Sequence, residues 1–450
     1  MIPGLIGALP LVGLLLLGGC ARPMLEAATQ AIDGVHADMA RGPAPDTGRP
    51  LDLEALLDQA RQSGPDFLKA RLDEAGARLE LDQRKAASAP RLGLALRRQT
   101  TLREGGGRGD ASVALNWDLG AALFATGDAE TLEAAERFFP VQAGFARLEA
   151  TAALLDAYVR HEESLLDRIE IQDEIRLLSC RNDAAQVELQ LGNLSQADIQ
   201  GVQQLLDSLR RQADAAEGAR QTQRREVLYL AGVTENARIA TGADPRRLVP
   251  PLPSQLSRAD CYARSGHAQR DQLLLKGAAG VLRVAKLQRF GRLDVALPAD
   301  ISPTRGLDLG ALVSILVPIV DQGDGERSVQ SARRALLDLA LTADRNRYRF
   351  DRNFSETELA VARAATRISE ARTELRRLDP DHSETCEGRR EADRIRLRLA
   401  RATLAHQQAE TRLRLLCSAL DQSAAASERS ADMFIRAAAP TQRRGNDDGS

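Results

Sequence analysis

Hydrophobic positions along the chain alternate between two periods, and they do so twice in the same order. From Leu53 to Ser88 apolar residues recur at helical spacing, with few breakers beyond Gly64-Pro65 and Gly76, and Pro90 closes the tract. The period then drops to two. Leu92, Leu94 and Leu96 alternate with Arg91, Gly93, Ala95 and Arg97. After Gly105-Gly106-Gly107, Val113, Leu115, Trp117 and Leu119 alternate with Ser112, Ala114, Asn116 and Asp118. This predicts a β-hairpin over 91–119 with one apolar and one small or polar face. A long helical tract follows from Ala129 to about Leu191, turns at Gly192-Asn193 and returns through Ser195 to Gly232.

A proline-rich linker at 248–255 precedes the second pass. A helix is predicted from Leu256 to Leu287, then a hairpin over 292–319. Leu293, Val295 and Leu297 form its first strand, and Leu307, Leu309, Ala311, Val313, Ile315, Val317 and Ile319 its second. Helix resumes from Glu326, is interrupted at Asp379-Pro380-Asp381, turns near Gly388 and returns to about Leu420. The tips at Gly192 and Gly388 lie 196 residues apart. The chain reads as an internal duplication, 51–247 and 256–423, of helix, hairpin, helix, tip and helix.

Some 60 residues of helix span on the order of 90 Å, so an elongated shape is expected. Alanine, leucine, arginine and glutamate with little aromatic bulk suit close coiled-coil packing. The alternating runs match the length of tilted transmembrane strands. Four strands cannot close a barrel, and hydrocarbon does not tolerate unpaired backbone. Membrane insertion would therefore require several chains to pool their strands.

Composition narrows the chemistry. With 61 basic against 63 acidic residues the chain has no footprint for nucleic acid, and 43% hydrophobic content is ordinary for a non-polytopic protein. All but four of the basic residues are arginine, a bias carrying no functional weight. No P-loop, nucleophile elbow or zincin pattern is present, and GGGRGD at 105–110 fits no phosphate loop. His36, His161, His267, His382 and His406 are scattered singly and no CxxC occurs, so neither a metal site nor a cofactor is expected.

Residues 5–19 form an apolar stretch too short to span a bilayer, which reads as a signal peptide over 1–19. Met1-Ile2-Pro3-Gly4 carries no positive n-region, which leads us to expect a translation start further upstream. Leu17-Gly18-Gly19-Cys20 resembles the lipobox of bacterial lipoproteins, in which the cysteine is lipidated, and Ala21 after it implies sorting to the outer membrane. Residues 20–50 are expected to form a lipidated anchoring segment without periodicity, and 424–450 a flexible tail. Export would place Cys180, Cys261, Cys386 and Cys417 where disulfides form.

Three segments resemble the TolC-like outer-membrane factors. Residues 312–336, LVSILVPIVDQGDGERSVQSARRAL, resemble that family's strand, proline, Asp-Gly turn and helix start, with Pro318, Asp321, Gly323 and Gly325 at matching places. Residues 51–96 look like its opening helix and first strand, and Tyr158 fits a tyrosine common in the following helix. The segment LQLGNLSQADIQGVQQ, ending at Gln204, is similar to its periplasmic tip, with Leu191, Gly192, Leu194, Ser195 and Asp198 matching. The resemblance covers about 51–420.

It implies a fold that is mainly α with a β-barrel part: duplicated long coiled-coil helical hairpins plus two transmembrane β-hairpins per chain, closing as a homotrimer into a barrel and tunnel. The implied function is a passive exit duct for an efflux pump or type I secretion system, with no catalytic step. Its partners would be a periplasmic adaptor docking at the tips, an inner-membrane pump and outer-membrane lipid. The other class compatible with the pattern is a lipid-anchored periplasmic coiled-coil scaffold. At the second tip, EGRREADRIRLRLA at 387–400, Gly388 matches the family but the leucine and serine do not. By position, Arg389, Arg390, Glu391 and Asp393 are candidate gate residues. Against the same alignment, Cys261 and Cys417 fall near the tunnel's equator as a candidate disulfide. Cys180 and Cys386 lie at different offsets from their tips, which argues against a bridge between them.

Overall fold

The computed structural model describes residues 22–40, 42, 48–87, 91–99, 108–117, 125–191, 193, 195–253, 257–288, 292–302, 306–309, 312–316, 324–378 and 386–418. For 22–28, 83–87, 125–130, 198, 288, 324, 386–387 and all strands, only the backbone is described. In chain order the elements are α1 (Arg22–Ala40), α2 (Leu53–Ser63), α3 (Pro65–Ala87), β1 (Arg91–Gln99), β2 (Arg108–Trp117), α4 (Ala125–Gln190) and α5 (Gln196–Ala231). After a 3-10 turn at Pro245–Leu248 come α6 (Arg258–Arg264), α7 (Gly266–Gln288), β3 (Arg292–Ser302), β4 (Gly306–Leu309), β5 (Leu312–Leu316), α8 (Asp324–Arg377) and α9 (Cys386–Leu416). The signal segment, Cys20, the Asp379-Pro380-Asp381 interruption and the tail at 424–450 lie outside the described residues.

The chain divides into two compact units. One holds α1, 69–143 and 268–348; the other holds 41–68, 144–267 and the chain from 349 onward. The first unit carries the sheet. Its strands follow the order β1-β2-β3-β4, with β5 also on β3, and every pairing is antiparallel. Register aligns the apolar positions across it: Leu94 faces Val113, Val113 faces Ala299, Leu115 faces Leu297, and Val295 faces both Trp117 and Val313. The two predicted hairpins thus join through β2 and β3, a pairing that alternation within each hairpin does not specify. β3 also runs through Pro298, opposite Ala114, although proline is a usual stop for a central strand.

Around the sheet in sequence, this unit fastens its helices by a few polar contacts. Arg71 meets Asp38 at 2.8 Å, Lys276 meets Glu133 at 3.1 Å, and Asn346 donates to the buried Asp271 at 3.1 Å. The expectation of an unpatterned segment after Cys20 is corrected by α1. Met24, Leu25, Ala28, Ile32, Val35 and Met39 do recur at helical spacing, and Val35 is buried.

The second unit holds the main core. Leu53, Leu56, Leu57 and Ala60 of α2 bury against Leu154, Tyr158, Val227, Leu228 and Ala231 of α4 and α5. Asp52 caps α2 by accepting from the Ala55 N–H at 2.8 Å. The opening helix breaks once in each repeat, at Gly64 (φ −65°, ψ 134°) and at Ser265 (φ −66°, ψ 150°). Gly64-Pro65 and Ser265-Gly266 are both breaker pairs, and the Ser265 hydroxyl also donates to the Tyr262 carbonyl at 2.7 Å. A Cβ at Gly64 would stand 2.6 Å from the carbonyl oxygens of Ala60 and Leu230, so only glycine lets the chain approach α5 there.

Candidate functional site

Three places in the second unit bear on function: the helical tips, the seam between α4 and α9, and the fastening of the linker between repeats. The first tip closes tightly. Asn193 N–H donates to the Glu188 carbonyl at 2.9 Å and its Nδ2 to the Glu188 carboxylate at 2.6 Å. Leu191 is left 66% exposed, an apolar side chain standing in solvent at the turn, and Ser195 is exposed beside it. Gly192 and Leu194 lie outside the described residues, as does the side chain of Asp198 on α5. Gly388 is the third residue of α9 and half-buried.

The charged residues of the second tip are engaged within the chain. Arg390 approaches Glu174 of α4 at 3.9 Å, Glu391 lies 3.8 Å from Arg398, and Asp393 holds Arg396 at 3.0 Å, while Arg389 is exposed. Arg390 begins a ladder. Arg401 reaches Asp167 and Glu170 at 2.6 Å each, and Arg412 reaches Asp156 at 3.0 Å, with Gln408 donating to the same carboxylate at 3.2 Å. Arg390, Arg401 and Arg412 are spaced eleven residues apart, as are Asp156 and Asp167. An 11-residue spacing, 3.67 per turn, keeps one side of a nearly straight helix facing its neighbour. This ladder was legible as a spacing in the sequence, but arginines are too frequent here for the spacing to stand out.

A cleft of about 520 Å³ runs along this seam, lined by Glu163, Asp167, Glu374, Arg398 and Arg401 among others. Burial raises the carboxyl pKa of Glu163, with Asp167 adding to it. Burial likewise raises Asp173 near the tip, with Asp393 as a further cause.

The segment after α5, which leads into the linker, is tied to both repeats. The Tyr158 hydroxyl donates to the Ala240 carbonyl and accepts from the Ala243 N–H, both at 3.1 Å, and burial raises its pKa. Glu162 accepts from the Gly242 N–H at 3.1 Å. Leu51 and Ile239 form an isolated parallel bridge. From the other side, Arg246 grips Asp244 at 2.7 Å and Glu410 of α9 at 3.0 Å, and Arg414 donates to the Arg246 carbonyl at 2.9 Å.

Cys261 and Cys417 form a disulfide with Cα atoms 4.8 Å apart. It sits in an apolar cluster with Phe350 and Phe354, and Tyr262, His267 and Phe145 continue the aromatic contacts. Cys180 is also disulfide-bonded, to a partner whose side chain lies outside those described. Among the described residues no group of His, Cys, Asp and Glu could hold a metal, and no helix is long and apolar enough to cross a membrane.

No protein-family profile matches the chain, and no curated protein matches it in sequence. Solved structures do. CusC, whose crystal structures concern folding and transmembrane channel formation, aligns with TM-score 0.66 at 14% identity over 81% of this chain and 91% of that one. The outer membrane protein VceC from Vibrio cholerae aligns with TM-score 0.59 at 16% identity over 81% and 94%. The Campylobacter jejuni CmeC outer membrane channel aligns with TM-score 0.59 at 12% identity over 81% and 84%. The fold is that of the TolC-like outer-membrane factors.

Proposed function

We propose that this chain is an outer-membrane exit duct: a lipid-anchored homotrimer that conducts substrates passively for an efflux pump or type I secretion system. The observation that carries the reading is the open sheet in a chain of this fold. β1 pairs only with β2, and β4 and β5 only with β3, so both sides of the sheet have unpaired backbone among the described residues. Open edges are excluded from hydrocarbon, and with successive strands antiparallel, β1 of one copy can pair with β4 and β5 of the next in the same sense. Three copies would supply twelve strands at four strand-widths each, since β4 and β5 succeed one another along one side of β3.

Unpartnered apolar side chains support assembly. Leu337, Leu341 and Tyr348 of α8 are 56%, 58% and 71% exposed in the isolated chain, more than a solitary helical bundle would leave open. In this reading Cys20 carries the lipid. Leu191, Gly192, Leu194, Ser195, Asp198 and Gly388 dock a periplasmic adaptor coupled to an inner-membrane pump. Arg389, Arg390, Glu391 and Asp393 border the constriction. Energy comes from the pump, so no catalytic group is required.

The test is oligomeric mass together with single-channel conductance of the detergent-extracted protein. A conducting trimer is expected. A non-conducting monomer or dimer, released from the envelope when Cys20 is replaced by alanine, would overturn the duct and favour an anchored scaffold.

A further inference from the structure

The disulfide connectivity implies a partner needed to make the protein. Cys261 is bonded to Cys417, which skips Cys386, and Cys180 is bonded elsewhere. A chain oxidised as it emerges would join cysteines in the order in which they appear. Cys180 precedes Cys261 by 81 residues, and Cys386 precedes Cys417 by 31. With Cys20 taken by lipid, as the duct reading has it, oxidation in order among the other four cysteines gives Cys261 and Cys417 the wrong partners.

The fold cannot absorb those wrong bridges. Cys386 and Cys417 stand at opposite ends of α9, about 45 Å apart at helical rise, whereas a disulfide requires Cα atoms within roughly 7 Å. Cys261 shares its cluster with Phe350, whose ring meets His267, which in turn stacks edge-on against Phe145 of α4 at 4.6 Å. Cys180 is 35 residues further along α4, about 50 Å away by the same rise. A Cys180–Cys261 bridge would require α4 to unwind, and a Cys386–Cys417 bridge would break α9. The native pair, once formed, is shielded from small reductants, since Cys261 is 0% and Cys417 6% exposed.

We infer that maturation of this chain depends on a dithiol disulfide isomerase in the compartment to which it is exported. This rests on the outer-membrane reading above. Oxidation itself passes two electrons from two cysteine thiols to the disulfide of an oxidising exchange protein, which becomes a dithiol, while the two thiol protons are released. The isomerase step is electron-neutral. Its thiolate attacks a sulfur of the misplaced bridge, forms a mixed disulfide and expels one cysteine thiolate. The correct cysteine thiolate then attacks the mixed disulfide and returns the isomerase thiolate.

The test expresses the full chain in hosts with and without their exported disulfide isomerase and maps the Cys261 peptide under non-reducing conditions by mass spectrometry. Loss of the isomerase is expected to lower the Cys261–Cys417-linked peptide at least fivefold, with new Cys180–Cys261 or Cys386–Cys417 linkages in its place. The double variant Cys180→Ser/Cys386→Ser removes the competing thiols and is expected to restore the linked peptide without isomerase. Equal yield of the native linkage in both hosts overturns the inference while leaving the export reading intact, as does a double variant that stays equally dependent on the isomerase. Free Cys261 and Cys417 thiols in protein recovered from the cytosol of both hosts overturn both.

Discussion

Replacing Arg390, Arg401 and Arg412 together by glutamine would strip α9 of three cations that meet α4. Arg401 holds two carboxylates at 2.6 Å but is 38% exposed, so solvent screens it. Exposed pairs contribute about 0.2–1 kcal/mol each, which gives about 1 kcal/mol for Arg401 with its two acids. Arg412, half exposed against one acid, adds about 0.5 kcal/mol, and Arg390 at 3.9 Å adds next to nothing. The sum is about 1.5 kcal/mol, roughly a tenfold change in the equilibrium for opening the seam locally. Amide hydrogen exchange along α9 and the facing stretch of α4, in the detergent-extracted protein, reads that equilibrium directly. The triple variant is expected to exchange about tenfold faster there and to lose salt dependence. The wild type should move toward it at about 0.5 M salt, where the Debye length falls below 5 Å. Unchanged exchange in the triple variant, or the whole effect from Arg390→Gln alone, would refute the ladder as the element that holds the seam.

Gly232 has φ +66°, and a Cβ there would fall 2.4 Å from the Ser63 carbonyl oxygen, whereas Gly242 has φ +81° and open space around it. Gly242→Ala should cost about 1 kcal/mol from backbone strain alone and Gly232→Ala at least about 3 kcal/mol, measured as shifts in denaturant midpoint; equal costs would mean that the approach to α2 does not matter. His161 is 2% exposed, and burial, with Arg220 and Arg224 of α5 as further causes, lowers its pKa to about 4. The unfolded chain takes up that proton near pH 6.5, so His161 contributes about 3 kcal/mol that is present above pH 6.5 and lost as pH falls to 4. Raised carboxyls at Glu162 and Glu163 act in the opposite sense, so the difference between wild type and His161→Leu isolates the histidine, and parallel pH profiles would contradict it. Replacing both Cys261 and Cys417 by alanine opens a loop closed across 156 residues, worth about 5 kcal/mol by chain entropy; a loss under about 1 kcal/mol would show that the aromatic cluster alone holds that site.

Period alone located the long helices and the strand positions, though it read β4 and β5 as one strand, because each element buries one face and its apolar residues must then recur at the element's own repeat. What period could not reveal is partnership. Alternation marks Leu115 and Leu297 as strand positions, but their pairing depends on how two hairpins far apart in sequence meet. Helix α1 went unread because alanine and glycine dilute its apolar stripe and prolines follow it, so composition masked a regular spacing. Ser265-Gly266 was passed over although it is a breaker pair, because the apolar spacing runs on across it from Leu256 to Leu287. At the site, Tyr158 was noticed as a matching residue, yet its role in bridging Ala240 and Ala243 depends on the segment after α5, which carries no period to read.

The two repeats solve one structural problem by different chemistry. In the first repeat the opening helix meets the returning one through small groups: Ala60 four residues before the break, Gly64 at it, and Gly232, whose carbonyl accepts from Ser63. In the second repeat the residue four before the break is Cys261, the break is Ser265, and the residue closing the last helix is Cys417. Close backbone packing has been exchanged for a covalent bond at the same place in the plan. The tips diverge in parallel. The first tip keeps an exposed apolar residue, Leu191, available to another protein, while the charges following the second are paired to α4 and to their own helix. If the duct reading holds, adaptor binding should be lost on Leu191→Asp and little changed on Arg389→Ala, because among the described residues only the first tip presents an unsatisfied apolar surface. Equal loss in co-purification with the adaptor would mean that the second tip docks through its charges instead.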